Sequence, residues 1–419
     1  MMWRVLYSLL WWLATPFIRR YLRRRGQKAP AYLAHWDERF GRAAPSGRQG
    51  VIWIHAVSVG ETRAALPLIH ALRTRWQDAP LLITQMTPTG RACAEALYGD
   101  IAEIRYLPYD YPKAVRAFLR AYRPRFGVLM ETELWPNLIA AADHLAVPLF
   151  LANARLSDKS YRGYRRFIGL IRPALRQLTA IAAQTAEDAA RLAALGAAEP
   201  QVCGNTKYDI TPPAEQAQLG VMFKQRLGDR PVVVCASTRE GEEALILAAW
   251  RANASSALLV MVPRHPERFS EVAELAQSQG FKVQMRGDEQ PVSPDTQVWV
   301  GDSMGEMFAY YHAADLVFIG GSLLPLGGQN LIEPASVGKP VLIGPSCFNF
   351  SDASQKAFDC GAARQVADAK ELVVVIKQLL ADTESRQRMG LAGLAFSQMH
   401  RGASQRIVAL IDARLSDGE

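Results

Sequence analysis

Two stretches of this chain combine carboxylates with turn-forming residues at spacings that suit acid–base chemistry on a polar ligand. The first is His55-Ala-Val-Ser58-Val-Gly60-Glu61. A glycine at a strand-to-helix turn lets the backbone approach a ligand, and the carboxylate after it could take a proton from a hydroxyl. The same spacing, Ser58-x-x-Glu61, also fits a capping box in which Glu61 merely closes a helix, whose dipole would keep its pKa low. The second stretch is Glu131-Thr-Glu133-Leu-Trp135-Pro136-Asn137. Two carboxylates and an indole suit a carbohydrate-like ligand, while Pro136 and Asn137 equally mark a helix start. Lys207 follows in Gly204-Asn205-Thr206-Lys207-Tyr208, at the exit of a short apolar run. Arg155, Lys159, Arg162, Arg165 and Arg166 form a basic run that suits a phosphorylated acceptor, although a solvated helix face is the commoner meaning of such a run.

The second half carries groups suited to an anion. Pro263-Arg264-His265-Pro266-Glu267-Arg268 places a fixed-φ proline beside an arginine. Gly301-Asp302-Ser303-Met304-Gly305-Glu306 opens a helix, whose first N–H groups can face a phosphate. Gly320-Gly321-Ser322 leads to Gly327-Gly328-Gln329-Asn330-Leu331-Ile332-Glu333-Pro334, where paired glycines and a helix start suit a nucleotide and Glu333 suits its ribose. There is no Walker loop, no GxGxxG after the first strand, no D-x-D sequence and no His/Asp/Glu set at metal spacing. The chemistry these residues imply therefore needs neither a metal nor a cofactor; helix termini, lysine and arginine would stabilise a leaving phosphate.

Positioning these loops requires a regular scaffold. Apolar runs at 51–56, 81–84, 104–107, 126–130, 148–152, 179–183 and 201–203 alternate with helix-period stretches such as 63–76 and 136–145. After a turn-rich segment at 209–218 the alternation resumes, with runs at 231–236, 257–262, 282–285, 297–300, 315–319 and 340–343. Continuous apolar strands between helices indicate parallel sheets covered on both faces. The expectation is two doubly wound α/β domains, 26–215 and 216–419, with the last helix able to pack back across the boundary. Ligands in such sheets lie outside the carboxyl ends of the strands, where every stretch named above falls.

Of 419 residues, 49% are hydrophobic and 21% charged, which describes a globular chain. Five scattered cysteines without a CxxC pair argue against a disulfide framework and fit a reducing compartment. The net charge of +8 is local: residues 1–28 hold Arg4, Arg19, Arg20, Arg23, Arg24, Arg25 and Lys28 without an acid. That excludes a distributed nucleic-acid groove. The apolar run at 5–18 precedes most of this charge, has no signal-peptide cleavage pattern, and falls short of the roughly 20 residues of a comfortable span. Residues 1–25 are expected to be a membrane anchor, either a short span or an interfacial helix on anionic lipid, with the body on the cytoplasmic side.

Together, HAVSVGE at 55–61, METELWPN at 130–137, GNTKYD at 204–209, VPRHPER at 262–268, GDSMGEM at 301–307 and GGQNLIEPA at 327–335 resemble the 3-deoxy-D-manno-octulosonic acid (Kdo) transferases of lipopolysaccharide assembly. The resemblance implies a GT-B glycosyltransferase, with two Rossmann-like domains facing a central cleft and an N-terminal membrane anchor at the inner membrane. It implies CMP-Kdo as donor, the lipid A precursor lipid IVA as acceptor, and an inverting, metal-independent displacement. By the same resemblance Glu61 is the general base, and Glu131 and Lys207 support the transition state. Pro263, Arg264, Met304, Gly305, Glu306, Asn330, Leu331, Ile332 and Glu333 would contact CMP. Acceptor contacts at Arg155, Arg162, Arg165 and Arg166 are inferred from charge and not from the motifs. The alternatives are a nucleotide-sugar epimerase of related fold, or a non-catalytic membrane scaffold. The motifs leave the number of Kdo units transferred and the oligomeric state open.

Overall fold

The structure is a computed structural model that describes residues 2–42, 47–253 and 256–416. The chain divides into two compact units, Met1–Ile210 with Arg401–Glu419, and Thr211–His400.

Among the described residues the first unit carries seven strands: β1 (Ile52–His55), β2 (Leu81–Gln85), β3 (Ala102–Tyr106), β4 (Phe126–Met130), β5 (Leu149–Ala154), β6 (Ala180–Ala183) and β7 (Gln201–Val202). They lie in the order β3-β2-β1-β4-β5-β6-β7, every pair parallel. β1, β2, β4, β5 and β6 are buried throughout, which is why they read as unbroken apolar runs. The chain order reverses between β1 and β4, so the loops leaving these two strands diverge and open a crevice.

The second unit has β8 (Val232–Thr238), β9 (Leu258–Pro263), β10 (Val283–Met285), β11 (Val298–Val300), β12 (Leu316–Ile319), β13 (Val341–Ile343) and β14 (Ala363–Gln365). Their order is β10-β11-β9-β8-β12-β13-β14, again parallel, with the reversal between β8 and β12.

The last helix, Ala403–Ser416, which the sequence left able to pack back across the boundary, lies with the first unit. Ile407, Leu410 and Ile411 join Ala152, Ala182 and Cys203 in the first core. Asp209 accepts from Gly402 N and Ser404 N, both at 2.6 Å, which satisfies donors at the start of that helix.

The N-terminal helix, Met2–Lys28, also packs on the first unit, by one stripe only. Arg4, Tyr7, Ser8, Trp11, Ala14, Thr15, Ile18, Arg19 and Leu22 are half-buried or buried, at helical spacing. The large apolar side chains point away: Val5, Leu6, Leu9, Leu10, Trp12, Leu13 and Phe17 are all exposed, Trp12 by 69% and Phe17 by 74%. No helix among the described residues is long and apolar enough to cross a membrane.

Candidate active site

The crevice between the β1 and β4 loops gathers the carboxylates singled out above. Ser58 caps the Val59–Ala64 helix by accepting from Glu61 N at 3.3 Å. Glu61 folds back: Oε2 accepts from Val57 N at 2.8 Å and Oε1 from Ser58 Oγ at 3.0 Å. Only the Ser58 half of the capping box forms, since Glu61 reaches Val57 N and not Ser58 N, and these bonds do not hold the carboxyl acidic. Burial, opposed by the Val57 hydrogen bond and reinforced by the charges of Glu131 and Glu133, raises Glu61 to about 7. This is the reverse of the low value expected from the helix dipole, because loss of solvent outweighs the hydrogen bonds. A group near 7 can both take and release a proton at neutral pH.

Glu131 leaves the end of β4 with a left-handed backbone (φ 55°) while its N–H still donates to Ala152 O at 2.9 Å. A glutamate in that region is strained, and such strain is held by its surroundings at functional sites. Lys207 Nζ lies 3.5 Å from Glu131 Oε1, and Arg155 Nε lies 3.9 Å from Oε2. Asn153, also left-handed (φ 53°) and fully buried, accepts from Thr206 N at 3.1 Å and so fixes the turn that carries Lys207. Glu133 accepts from Trp135 Nε1 at 2.7 Å, and burial raises its pKa. His55 is buried with its Nδ1 2.9 Å from Thr84 Oγ1; burial lowers it to about 3, so the imidazole is neutral. Of the basic run, only Arg155 is brought beside these carboxylates. Arg162 pairs with Asp158 and Arg165 lies over the Tyr161 ring, on a helix (Asp158–Arg166) without buried residues.

In the second unit the loops after β8, β9, β11 and β12 form a second polar surface. Arg264 N donates to Thr238 O at 3.0 Å, tying the Pro263-Arg264 turn to β8. Burial and the charges of Arg264 and Arg239 hold the His265 imidazole below its ordinary range, which reports a positive field suited to an anion. Gly320 admits no side chain, since a Cβ would stand 2.5 Å from Ser237 O. Gly328 N donates to Gly321 O at 2.7 Å and Gln329 N to Gly320 O at 3.1 Å, folding the two glycine pairs onto each other. Gly305 (φ 84°) has open space at its Cβ position, and Met304 is exposed. Glu306 binds Arg286 at 2.8 Å, while its second oxygen is buried with no hydrogen-bond partner. Asn330 donates to Glu333 Oε1 at 3.0 Å and accepts from Ile332 N at 3.0 Å. Leu331 and Ile332, expected from the resemblance to face CMP, are buried in the core, backbone included.

Sequence reasoning passed over the turn after β8. Glu242 is fully buried, and its carboxylate accepts from Arg239 N at 3.0 Å, Leu323 N at 2.9 Å and Gly321 N. One side chain thereby clamps the two loops that flank the reversal in the second sheet. An acidic pair such as Glu242-Glu243 is ordinary in an exposed first helical turn, so nothing in it marks a buried clamp; the Thr-Arg-Glu-Gly turn before it is the available signal.

Two parallel sheets, each with a central reversal and polar loops at its strand ends, define an α/β protein of the GT-B-like kind. A glycosyltransferase from Rickettsia africae shares this fold with a TM-score of 0.61 at 12% identity, covering 88% of this chain and 99% of that one. A UDP-GlcNAc 2-epimerase from Neisseria meningitidis shares it at 0.59 and 15%, covering 86% and 99%, so fold alone does not separate transfer from epimerisation. Sequence kinship does. The family model described as 3-deoxy-D-manno-octulosonic-acid transferase matches residues 34–210. A 3-deoxy-D-manno-octulosonic acid transferase from Bordetella pertussis is 41% identical over 429 residues, 98% of this chain and 99% of that protein. The chain belongs to the 3-deoxy-D-manno-octulosonic acid transferase family, and it is a glycosyltransferase.

Proposed function

We propose that the protein transfers Kdo from CMP-Kdo to lipid IVA, with Glu61 as general base. The observation that carries this reading is the placement of Glu61 in the β1/β4 crevice, held at both oxygens and facing Glu131 and Glu133. Glu61 takes the proton of an acceptor hydroxyl, whose oxygen bonds to the anomeric carbon of Kdo. The bond from that carbon to the CMP phosphate breaks from the opposite side, and CMP leaves with the electron pair. Lys207 and Glu131 steady the developing charge. Pro263, Arg264, Met304, Gly305, Glu306 and the Asn330–Glu333 turn hold CMP, with Arg264 on its phosphate. No resident metal or cofactor takes part, in keeping with the missing D-x-D sequence. Arg155 and the exposed Arg162, Arg165 and Arg166 suit the acceptor's phosphates.

An amphiphilic acceptor calls for a lipid surface. The outward face of the Met2–Lys28 helix, with Leu9, Leu10, Trp12, Leu13 and Phe17 followed by five arginines, suits an interfacial contact with anionic inner-membrane lipid on the cytoplasmic side.

Mass spectrometry of the lipid formed from CMP-Kdo and lipid IVA tests the reading. The wild-type protein should add the mass of one or more Kdo units. Glu61→Gln should still bind CMP yet lose on the order of 10²–10⁴-fold in turnover. Near-normal turnover by Glu61→Gln would reduce Glu61 to a helix cap. Consumption of nucleotide-sugar without any acceptor would favour the epimerase.

A further inference from the structure

The inward stripe of the N-terminal helix carries polar and aromatic groups beside Ala14, Ile18 and Leu22, and several of its contacts reach the segments 109–111 and 135–138. Ser8 Oγ donates to Asn137 Oδ1 at 3.0 Å. Thr15 Oγ1 and the Tyr111 hydroxyl are 2.8 Å apart, and Tyr7 bonds the carboxylate of Asp110. Asp110, fully buried, accepts from Asn137 N at 2.9 Å and Leu138 N at 2.8 Å and so fixes the first turn of the Pro136–His144 helix. Trp135 immediately precedes that turn. Trp11 stacks on Trp135 with ring centroids 6.4 Å apart and planes at 21°, and packs against Tyr109 and Tyr111 at 5.7 Å each. Trp135 in turn donates its indole N–H to Glu133 and meets the His55 ring at 6.1 Å.

Here two side-chain hydrogen bonds and an aromatic stack all restrain the segment 135–138. Rotating the Trp135 ring would break its bond to Glu133, and Trp11 lies stacked against one face of that ring. We propose that Trp11 is a positioning residue of the transfer reaction, acting through Trp135 to hold the Glu133 side of the acceptor pocket. The N-terminal helix is then a wall of the active site as well as a lipid contact. The inference rests on the proposed role of Glu61 as general base, beside which Glu133 stands.

The test compares full-length wild type, Trp11→Ala, Trp11→Phe, Trp135→Ala and the double variant Trp11→Ala/Trp135→Ala. Each receives CMP-Kdo and a short-acyl, water-soluble analogue of lipid IVA, with no vesicle or detergent present. Trp11→Ala should lose roughly three- to tenfold in kcat/KM for the acceptor, the range of one aromatic pair, with the KM for CMP-Kdo unchanged. Trp11→Phe should recover most of that loss. In the Trp135→Ala background, Trp11→Ala should cost nothing further, since the residue through which it acts is gone. Wild-type acceptor kinetics in Trp11→Ala, or single effects that multiply in the double variant, would overturn the proposal. If Trp11→Ala does not fold, Trp11→Leu keeps the apolar volume without the ring, and full activity in it would overturn the proposal equally. Failure of the wild type to use either acceptor would instead strike the transfer reading itself.

Discussion

Glu61 stands under opposed demands, and their balance fixes when it can act. Hydrogen bonds from Val57 N and Ser58 Oγ favour the carboxylate, whereas burial and the charges of Glu131 and Glu133 favour the acid. Burial prevails and sets the group at about 7. A base with that value becomes competent only as pH rises through 7, so kcat with both substrates saturating should climb between pH 6 and 8 with its midpoint near 7. Glu133→Gln removes one repelling charge, while Lys207 and Arg155 continue to offset Glu131, and the midpoint should move down. A profile flat from pH 6 to 8 would remove Glu61 from the rate-limiting proton transfer. The linked stability effect has the opposite sign. A carboxyl raised in the fold contributes stability that is present below its ordinary value of 4.5 and lost as pH passes 7. Glu61→Gln should lack that loss in denaturant titrations across the same window. The Ser58–Glu61 spacing was legible in the sequence, as capping box and candidate base together. The raised pKa was not, because Glu131 and Glu133 reach Glu61 from β4, a strand that only the sheet order places beside β1.

Strands buried on both faces announce themselves as apolar runs; thirteen of the strands described overlap apolar runs, among them β3, β7 and β10, which are not buried throughout. β14 does not: Ala363-Arg364-Gln365 sits at a sheet edge with two exposed residues, so nothing in its composition separates it from a loop. The last helix was similarly ambiguous, since its amphipathic pattern fits either core; Ile407, Leu410 and Ile411 in the first core, the Asp209 cap and the Arg406–Cys203 contact (2.8 Å) place it. The Glu242 clamp belongs to this scale as well. It joins β8 to β12 through three backbone N–H groups, and removing it leaves those donors buried and unpartnered at about 1–3 kcal/mol each. Glu242→Ala should therefore loosen the Gly320–Ser322 loop and weaken CMP binding by about tenfold or more, read by calorimetry. Glu61→Gln should bind CMP as the wild type does. An unchanged CMP affinity in folded Glu242→Ala would show that the loop is held by the glycine-pair contacts alone.

At the scale of the whole molecule, charge and apolar exposure are concentrated in one helix. Seven cations without an acid in residues 1–28 account for all but one unit of the +8 net charge. The sequence showed this asymmetry but not which side of the helix faces outward. Trp11 and Trp12 are adjacent in the chain, yet one packs on Trp135 and the other is 69% exposed. A row containing Val5, Leu6, Leu9, Leu10, Trp12, Leu13 and Phe17 in contact with water would be an unfavourable surface for a soluble protein, and burial of one such side chain in lipid yields roughly 1.5–3 kcal/mol. Arginines near an anionic surface add about 1 kcal/mol each, screened by salt. The two contributions separate in a vesicle sedimentation assay. Leu9→Asp with Leu13→Asp and Phe17→Asp should weaken binding to phosphatidylglycerol-containing vesicles at every ionic strength and abolish it at high salt, where the arginines are screened. Arg20→Ala with Arg24→Ala should weaken binding at low salt and matter progressively less as salt is raised. Undiminished sedimentation of the triple aspartate variant would show that the outward face does not enter the bilayer, because a bilayer does not accept three buried carboxylates without loss of affinity.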